Sequence, residues 1–309
     1  MYFIVESGLL TGSTGFIGTY LNQYSELITR SVIRKTNGYE NKKFYYVDSI
    51  TGQTSWVNAF DNISCVIHLA GLAHSKTFTY EDYYSVNVEG TINLAKKAAS
   101  AGVKRFVFVS SIGVNGTSTY NIPFTENAIS IPNNEYSKSK YNAEIGLKKV
   151  AEETGLEVVI VRPTLVYGAN APGNFGSLTK LVKILPILPF GLANNKRNFI
   201  AVQNFADLLL TCAKHPNAAG HTFLASDGET VSIKTFTNAI AKGLNKQLIQ
   251  LPIPTSFIRF FGRVMRKSAM IEQLLGNLEV DSSNVHEVLG WVPPYTMEQA
   301  MASLSGNKK

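Results

Sequence analysis

The chain has 309 residues, 45% of them hydrophobic and 17% charged, with a net charge of +7 and two cysteines. This composition suits a folded enzyme with a core large enough for two lobes, and excludes a disordered chain or a disulfide scaffold. The basic residues are scattered without an aromatic-plus-basic module, so the positive balance points to a polyanionic small ligand rather than nucleic acid.

The longest apolar patch, residues 184–191, is too short and too rich in proline to span a bilayer. No charged segment followed by an apolar run and a cleavage site is present, and Cys65 lies inside an apolar strand pattern. The expected location is therefore a reducing cytoplasm.

Near the N-terminus Leu9-Leu10 leads into Thr11-Gly12-Ser13-Thr14-Gly15-Phe16-Ile17-Gly18 and then a helical pattern. Glu6-Ser7-Gly8 interrupts the apolar run, so the first strand is expected to be short, over 7–10, or irregular. The order strand, glycine turn, helix is the context of a dinucleotide fingerprint. Gly12 permits the tight turn, Gly15 admits a pyrophosphate to the backbone, and Gly18 allows close helix–sheet packing. The phosphates would sit at the positive end of the helix.

Further strands are expected near 28–34, 43–47, 64–69, 105–110 and 157–161, and helices near 15–24, 80–100 and 135–154. Ala101-Gly102 and Thr154-Gly155 supply the C-terminal stops. This alternation predicts an α/β fold, a Rossmann-type doubly wound parallel sheet. After Arg162-Pro163 the rhythm changes. Residues 168–198 read as loops with one helix from Leu178, and a strand–helix pair over 198–202 and 204–214 is expected to return to the main sheet.

From Ser226, short helices separated by Pro252, Pro254 and Pro293-Pro294 suggest a smaller, mostly helical C-terminal substrate-binding lobe. The dinucleotide domain is expected over 1–167 plus about 198–225, and the second lobe over about 168–197 plus 226–309. The segment 257–267 is basic and amphipathic. It is expected to pack its apolar face on the protein, with an anionic membrane surface as the alternative.

Tyr136 and Lys140 are four apart and share a helix face. A phenol with an ordinary pKa of about 10 is a poor base near neutrality, and an adjacent ammonium favours its ionised form. Lys140 is thus expected to tune Tyr136, while Lys138 and Ser139 are expected to face solvent.

Taken in order, Thr11–Gly18, His68-Leu69-Ala70-Gly71, the run from Val86 to Asn93, Val109-Ser110-Ser111, Tyr136/Lys140 and Arg162-Pro163-Thr164 resemble the extended short-chain dehydrogenase/reductase family. This is the group of NAD-dependent nucleotide-sugar epimerases, dehydratases and reductases, and the segments are most similar to its UDP-glucose 4-epimerase-like subgroup. The resemblance implies Ser111, Tyr136 and Lys140 as the catalytic set. Ser111 would bind the reacting oxygen of the substrate, Tyr136 would transfer the proton, and Lys140 would hold the nicotinamide ribose.

It further implies cofactor contacts from Gly12, Thr14, Gly15, Phe16, Ile17, Gly18, Leu69, Ala70, Gly71 and Pro163, with Asp48 placed to meet adenine. Asn174 and Arg197 match the residues that hold a nucleotide diphosphate. Asn87 resembles the family's helix asparagine, whereas His68, Asp207 and the segment 281–291 are expected to be structural and His74 to be a loop residue. A homodimer through the helices 80–100 and 135–154 follows from the resemblance alone.

Where family dehydratases resemble Thr-Asp-Glu, this chain has Ser111-Ile112-Gly113, and neither Ile112 nor Gly113 can carry a proton. Dehydration is therefore not expected. Of the two remaining chemistries, reduction of a UDP-4-keto sugar in surface polysaccharide synthesis is favoured, and UDP-glucose or UDP-N-acetylglucosamine 4-epimerisation with tightly held NAD is the alternative. Val114-Asn115-Gly116 in place of Val-Tyr-Gly weighs against a plain glucose/galactose assignment. Intact Ser111, Tyr136 and Lys140 argue against a non-catalytic dinucleotide sensor. The cofactor is expected to be NAD or NADP, with NADP favoured by Arg34 and neighbouring Lys35, which could pair a 2′-phosphate.

Overall fold

A computed structural model describes residues 5–34, 43–73, 75 and 77–306. Its first six strands are β1 (Gly8–Thr11), β2 (Ile28–Arg34), β3 (Phe44–Val47), β4 (Cys65–His68), β5 (Arg105–Val109) and β6 (Glu157–Pro163). Then come β7 (Leu165–Tyr167), β8 (Ile187–Leu188), β9 (Arg197–Ala201), β10 (Thr222–Ala225), β11 (Thr230–Val231) and β12 (Ile249–Gln250). The main sheet runs β10-β6-β5-β4-β1-β2-β3, every pairing parallel. Its order reverses between β1 and β4, which opens the ligand crevice of a doubly wound sheet at the carboxyl ends of those strands.

Both faces of the sheet are covered, which is why its central strands read as continuous apolar runs rather than alternating ones. Leu10, Ile67, Val107 and Val109 point to one core, where Leu21 of α1 (Phe16–Tyr24) also packs. Leu9, Val66, Phe106 and Phe108 point to the other. That second core takes Leu94 and Ala98 of α3 (Thr91–Ser100) and Ala143, Leu147 and Val150 of α4 (Glu135–Thr154). Asn134 caps α4 by accepting from the Ser137 N–H, and Gly155 ends it in the left-handed region at φ 74°.

Four local features depart from the sequence pattern. β1 is short and irregular as expected, its register shifting between Gly8 and Leu9, but it spans 8–11 rather than 7–10. Ser7 instead turns its hydroxyl onto the Asn62 carbonyl while its own carbonyl accepts from Ser64 and Cys65. The helix over 80–100 is three pieces: α2 (Tyr80–Tyr83), a π-helical segment Tyr84–Gly90, and α3. A side chain at Gly90 would lie 2.6 Å from the Ile50 carbonyl oxygen, so the glycine lets this segment approach a neighbouring loop. The helix expected from Leu178 is α5 (Gly173–Ile184), already begun at Gly173.

The fourth departure is a correction. β9 does not join the main sheet; it pairs with β7 and β11 in a separate three-stranded sheet. The helix after it, α6 (Val202–Lys214), does return, burying Phe205, Leu208, Leu209 and Cys212 in the first core. The edge place in the main sheet goes to β10, whose run Phe223-Leu224-Ala225 is too short for its periodicity to declare it.

The smaller lobe has its own core. Tyr167, Phe175, Phe199 and Phe236 meet there, with Phe199 and Phe236 stacked at 3.8 Å between ring centroids. Helices α5, α7 (Ile233–Gly243), α8 (Thr255–Val264), α9 (Ser268–Leu275) and α11 (Met297–Met301) pack on this core, whereas α10 (Ser283–Leu289) buries Val285 and Leu289 in the first core of the main sheet. No described helix is long and apolar enough to cross a membrane.

Candidate active site

The glycine turn after β1 is set by two close approaches. Gly12 has φ +71°, and a Cβ there would lie 2.8 Å from the Ala70 nitrogen. A Cβ at Gly18 would lie 2.1 Å from the Gly12 carbonyl oxygen, so α1 presses directly against the turn. Gly15 caps α1 without a side-chain hydrogen bond, so backbone N–H groups alone line the start of the helix. This cradle, which any side chain would fill, fits the pyrophosphate of a dinucleotide.

Thr14 is exposed on the turn, whereas Phe16 and Ile17 pack sideways into the small-lobe core and the first sheet core. Across the crevice the Ala70 N–H donates to Thr11 Oγ1 at 3.2 Å and Leu69 packs against the first core. Arg34 and Val47 are register partners at the ends of β2 and β3, so Arg34 and the following Asp48 reach the same rim, both exposed. Lys35 and His74 lie outside the described residues.

His68 is structural, as its place at a strand end suggests. It shares hydrogen bonds with Thr11 Oγ1 at 2.7 Å and Thr91 Oγ1 at 2.9 Å, tying β1, β4 and α3 together. Burial, aided by the Lys140 charge, pushes it down to about 3, so it stays neutral.

Ser111, Tyr136 and Lys140 come together where β5 ends and α4 begins. Ser111, in extended conformation, accepts from the Gly113 N–H at 3.1 Å and hydrogen-bonds the Tyr136 phenol. Burial pushes Tyr136 up to about 12, the Ser111 hydrogen bond counteracts this, and Tyr83 packs edge-on at 6.3 Å between centroids. Lys140 is buried, donates to the Val109 carbonyl at 2.9 Å, and sits 4.7 Å from the Phe108 ring centroid.

Burial lowers Lys140 to about 8, against the opposing pull of Glu144. The Ser111 hydrogen bond is thus a counterweight to burial at Tyr136.

Ser139 is not solvent-facing. Buried at the back of α4, it accepts from Asn87 Nδ2 at 2.9 Å. Asn87 Oδ1 in turn accepts from the Leu72 N–H, and a side chain at Gly71 would lie 2.9 Å from that oxygen and 3.4 Å from Lys140 Nζ. Asn87 therefore locks the loop after β4 onto the π-helical segment beside Lys140. Lys138 is exposed and pairs with Glu135, as its position suggests.

A second buried constellation lies beneath the triad, and no sequence signal had singled it out. Arg162 donates to both carboxylate oxygens of Glu144, at 2.9 and 2.5 Å, and to Asn115 Oδ1 at 3.0 Å. The Ser110 hydroxyl donates to Glu144 Oε1 at 2.5 Å. Asn115 is thus a partner of this ion pair, fully buried, and its amide donates to the Thr125 carbonyl. The departure from Val-Tyr-Gly is a packing feature. Glu144 follows Lys140 by one helical turn, but only the tertiary fold brings Arg162 to it.

Ile112 is buried against Leu224, Leu278 and Val280. A Cβ at Gly113 would meet Ser137 Oγ at 2.6 Å, so the position is closed to an acidic side chain. Asn174 is exposed in the first turn of α5. Arg197, in β9, donates to the Gly276 carbonyl at 3.0 Å, and burial lowers it to about 10. Pro163 ends β6, paired with Ala225 of β10. Asp207 accepts from the Trp291 indole at 2.7 Å, which fastens α6 to the C-terminal segment.

Residues 8–226 match the family model described as the NAD dependent epimerase/dehydratase family. The chain belongs to that family. It is therefore an NAD(P)-dependent enzyme of the nucleotide-sugar epimerase and reductase class. It is 39% identical over 319 residues to a UDP-glucose 4-epimerase of Vibrio cholerae, covering 98% of this chain and 97% of that one. It is 25% identical over 314 residues to an N-acetyl-alpha-D-glucosaminyl-diphospho-ditrans,octacis-undecaprenol 4-epimerase of Escherichia coli O157:H7, covering 96% and 93%. The fold is shared with the UDP-N-acetylglucosamine 4-epimerase of Bacillus cereus, with a TM-score of 0.76, 18% identity and coverage of 96% and 97%.

Proposed function

We propose that this enzyme is a 4-epimerase of a UDP-hexose or UDP-N-acetylhexosamine. The observation that carries the reading is the Ser111–Tyr136–Lys140 cluster beside the glycine cradle, with Lys140 buried and Ser111 and Tyr136 half-buried, in a chain similar over its full length to an epimerase. That likeness favours epimerisation over the 4-keto reduction that the sequence pattern favours. The filled positions Ile112 and Gly113 weigh against dehydration, since neither leaves room for a further acid.

The turn Gly12–Gly15 and the start of α1 would hold the dinucleotide phosphates, with Gly18 letting α1 pack close to the turn; Asp48 and Arg34 stand at the adenosine end, and Lys140 would hold the nicotinamide ribose. When bound, the nicotinamide accepts and returns a hydride. Ser111 holds the C4 oxygen, and Tyr136 takes the C4 hydroxyl proton and later gives it back. Asn174 and Arg197 would grip the diphosphate while the 4-keto sugar turns over, so that hydride would return to its other face and Tyr136 would reprotonate the C4 oxygen. A homodimer would use the exposed Tyr80, Tyr84 and Ile145 on the helices expected to pair.

The deciding experiment releases any dinucleotide from the purified protein and then offers UDP-glucose and UDP-N-acetylglucosamine without added cofactor. Bound dinucleotide with formation of the galacto epimer supports the reading. Consumption of NADPH only with a UDP-4-keto sugar would replace it with the reductase. Arg34 supplies charge for a 2′-phosphate, so a switch from NADP to NAD in Arg34→Ala is the matching test of cofactor choice.

A second reading is a polyprenol-linked sugar diphosphate as substrate, after the Escherichia coli relative. The exposed apolar face of α8 favours it. Turnover of undecaprenyl-diphospho-N-acetylglucosamine in preference to UDP-N-acetylglucosamine would select it.

A further inference from the structure

The hairpin α8–α9 carries an apolar face that the rest of the chain does not cover. Phe257, Phe260, Phe261, Val264 and Met265 are all exposed, Phe260 at 58% and Val264 at 65%, and Gly262 is the one buried residue of α8. The helices meet at Gly262, where a Cβ would lie 2.5 Å from Ile271 Cγ1. Despite this close contact, Phe257, Phe260 and Phe261 stay exposed. The arrangement differs from the expectation that the segment 257–267 would bury its apolar side on the protein.

The face continues onto the ribbon of β8 and β12, where the register partners Ile187 and Ile249 are both exposed. Between hairpin and ribbon lies an open apolar cavity of about 330 Å³, lined by Pro189, Ile253, Ile258, Phe261, Met265 and Ile271 among others. Contiguous exposed apolar surface of this kind marks a contact site.

Charge selects the occupant. Over residues 246–276 the basic residues are Lys246, Arg259, Arg263, Arg266 and Lys267, and the acidic one is Glu272. Glu272 is taken by Arg259 at 2.9 Å, and Arg263, Arg266 and Lys267 make no ion pair among the described residues. All three lie around the tip of the hairpin, beside Val264 and Met265. A second copy of the chain packed on this face about a two-fold axis would set these cations against themselves. An anionic lipid surface instead meets both components at once: phosphates for the cations, and the headgroup–acyl boundary for the phenylalanines.

We propose that the α8–α9 hairpin, together with the β8–β12 ribbon, docks this enzyme on an anionic phospholipid bilayer. The base of the hairpin is fastened to the strand that carries Arg197. Asn195 donates to the Leu274 and Gly276 carbonyls, Arg197 to the Gly276 carbonyl, and Arg259 to the Leu275 carbonyl. Docking would therefore hold the substrate lobe at a fixed attitude to the membrane while the glycine cradle of the large domain stays in water.

The test is flotation of the full-length protein with phosphatidylcholine vesicles, with and without phosphatidylglycerol. Recovery with the anionic vesicles is expected to exceed that with phosphatidylcholine alone by roughly tenfold, and to fall as salt rises. Phe260→Ser/Val264→Ser and, separately, Arg263→Glu/Lys267→Glu are each expected to lower that recovery roughly tenfold. Both variants should keep the melting temperature and the turnover of UDP-glucose in vesicle-free buffer, so this result stands apart from the test of epimerisation.

A parent protein that stays with the pellet for both vesicle types would overturn the proposal. So would variants that float as the parent does. Loss of a higher oligomer in the Phe260/Val264 variant, without vesicle binding by the parent, would assign the face to a second copy.

Discussion

Removing one partner of the Glu144–Arg162 pair should be among the most destabilising single changes to the large domain. Both side chains are nearly fully buried, at 2% and 5% exposure. Glu144→Leu leaves the Arg162 guanidinium with Asn115 as its remaining side-chain partner and strips the Ser110 hydroxyl of its acceptor. Breaking a buried pair from one side costs about 3–5 kcal/mol, because the surviving charge stays uncompensated. Arg162→Met exposes the carboxylate to the same penalty.

The double variant Glu144→Leu/Arg162→Met removes both charges. What then remains is the unsatisfied Ser110 and Asn115, about 1–3 kcal/mol each. The double variant should therefore cost about 2–6 kcal/mol, less than the sum of the two single losses, where simple addition would give about 6–10 kcal/mol. Urea unfolding followed by the fluorescence of Trp56 and Trp291 measures each corner of the cycle. Additive losses, or single losses below about 1 kcal/mol, would refute the account of this pair as a coupled buried unit.

Tyr136→Phe should retain dinucleotide binding and lower kcat by about 10²–10⁴-fold, the range for a lost acid–base group, as steady-state kinetics beside cofactor titration would show. Gly18→Ala should abolish dinucleotide binding measured by calorimetry, since its Cβ would meet the Gly12 carbonyl at 2.1 Å with backbone on both sides of the clash. Lys140, lowered from 10.5 to about 8, loses its proton in the folded chain first. Between those values the unfolded chain binds the extra proton, so this group's contribution to stability rises with pH while its ammonium is lost from the site. Dinucleotide affinity should accordingly fall as pH rises through about 8, and Lys140→Met should flatten that dependence.

Much of the large domain was legible in the chain itself. The strands 28–34 and 157–161 and the helix 135–154 are declared by apolar runs and by Gly155 as a stop, which are properties of neighbouring residues. β10 and the true partners of β9 were not legible, because a short apolar run carries no mark of which sheet will accept it. Ser139 was misplaced for a similar reason. Its helical neighbours Lys138 and Lys140 point to opposite environments, and only the arrival of Asn87 decides its side.

The sequence by itself determined the glycine turn, the strand–helix alternation, and the pairing of Tyr136 with Lys140 on one helical face. These follow from backbone geometry and spacing within a few residues. Tertiary structure decided what those groups experience. It set Ser111 on Tyr136 and Val109 on Lys140, buried Lys140 and half-buried Tyr136, and brought Arg162 beneath them to Glu144. It also left the phenylalanines of α8 uncovered, although their periodicity would serve equally for a buried helix. Spacing along a chain specifies which side chains share a face, whereas desolvation and charge pairing depend on what other segments place against that face.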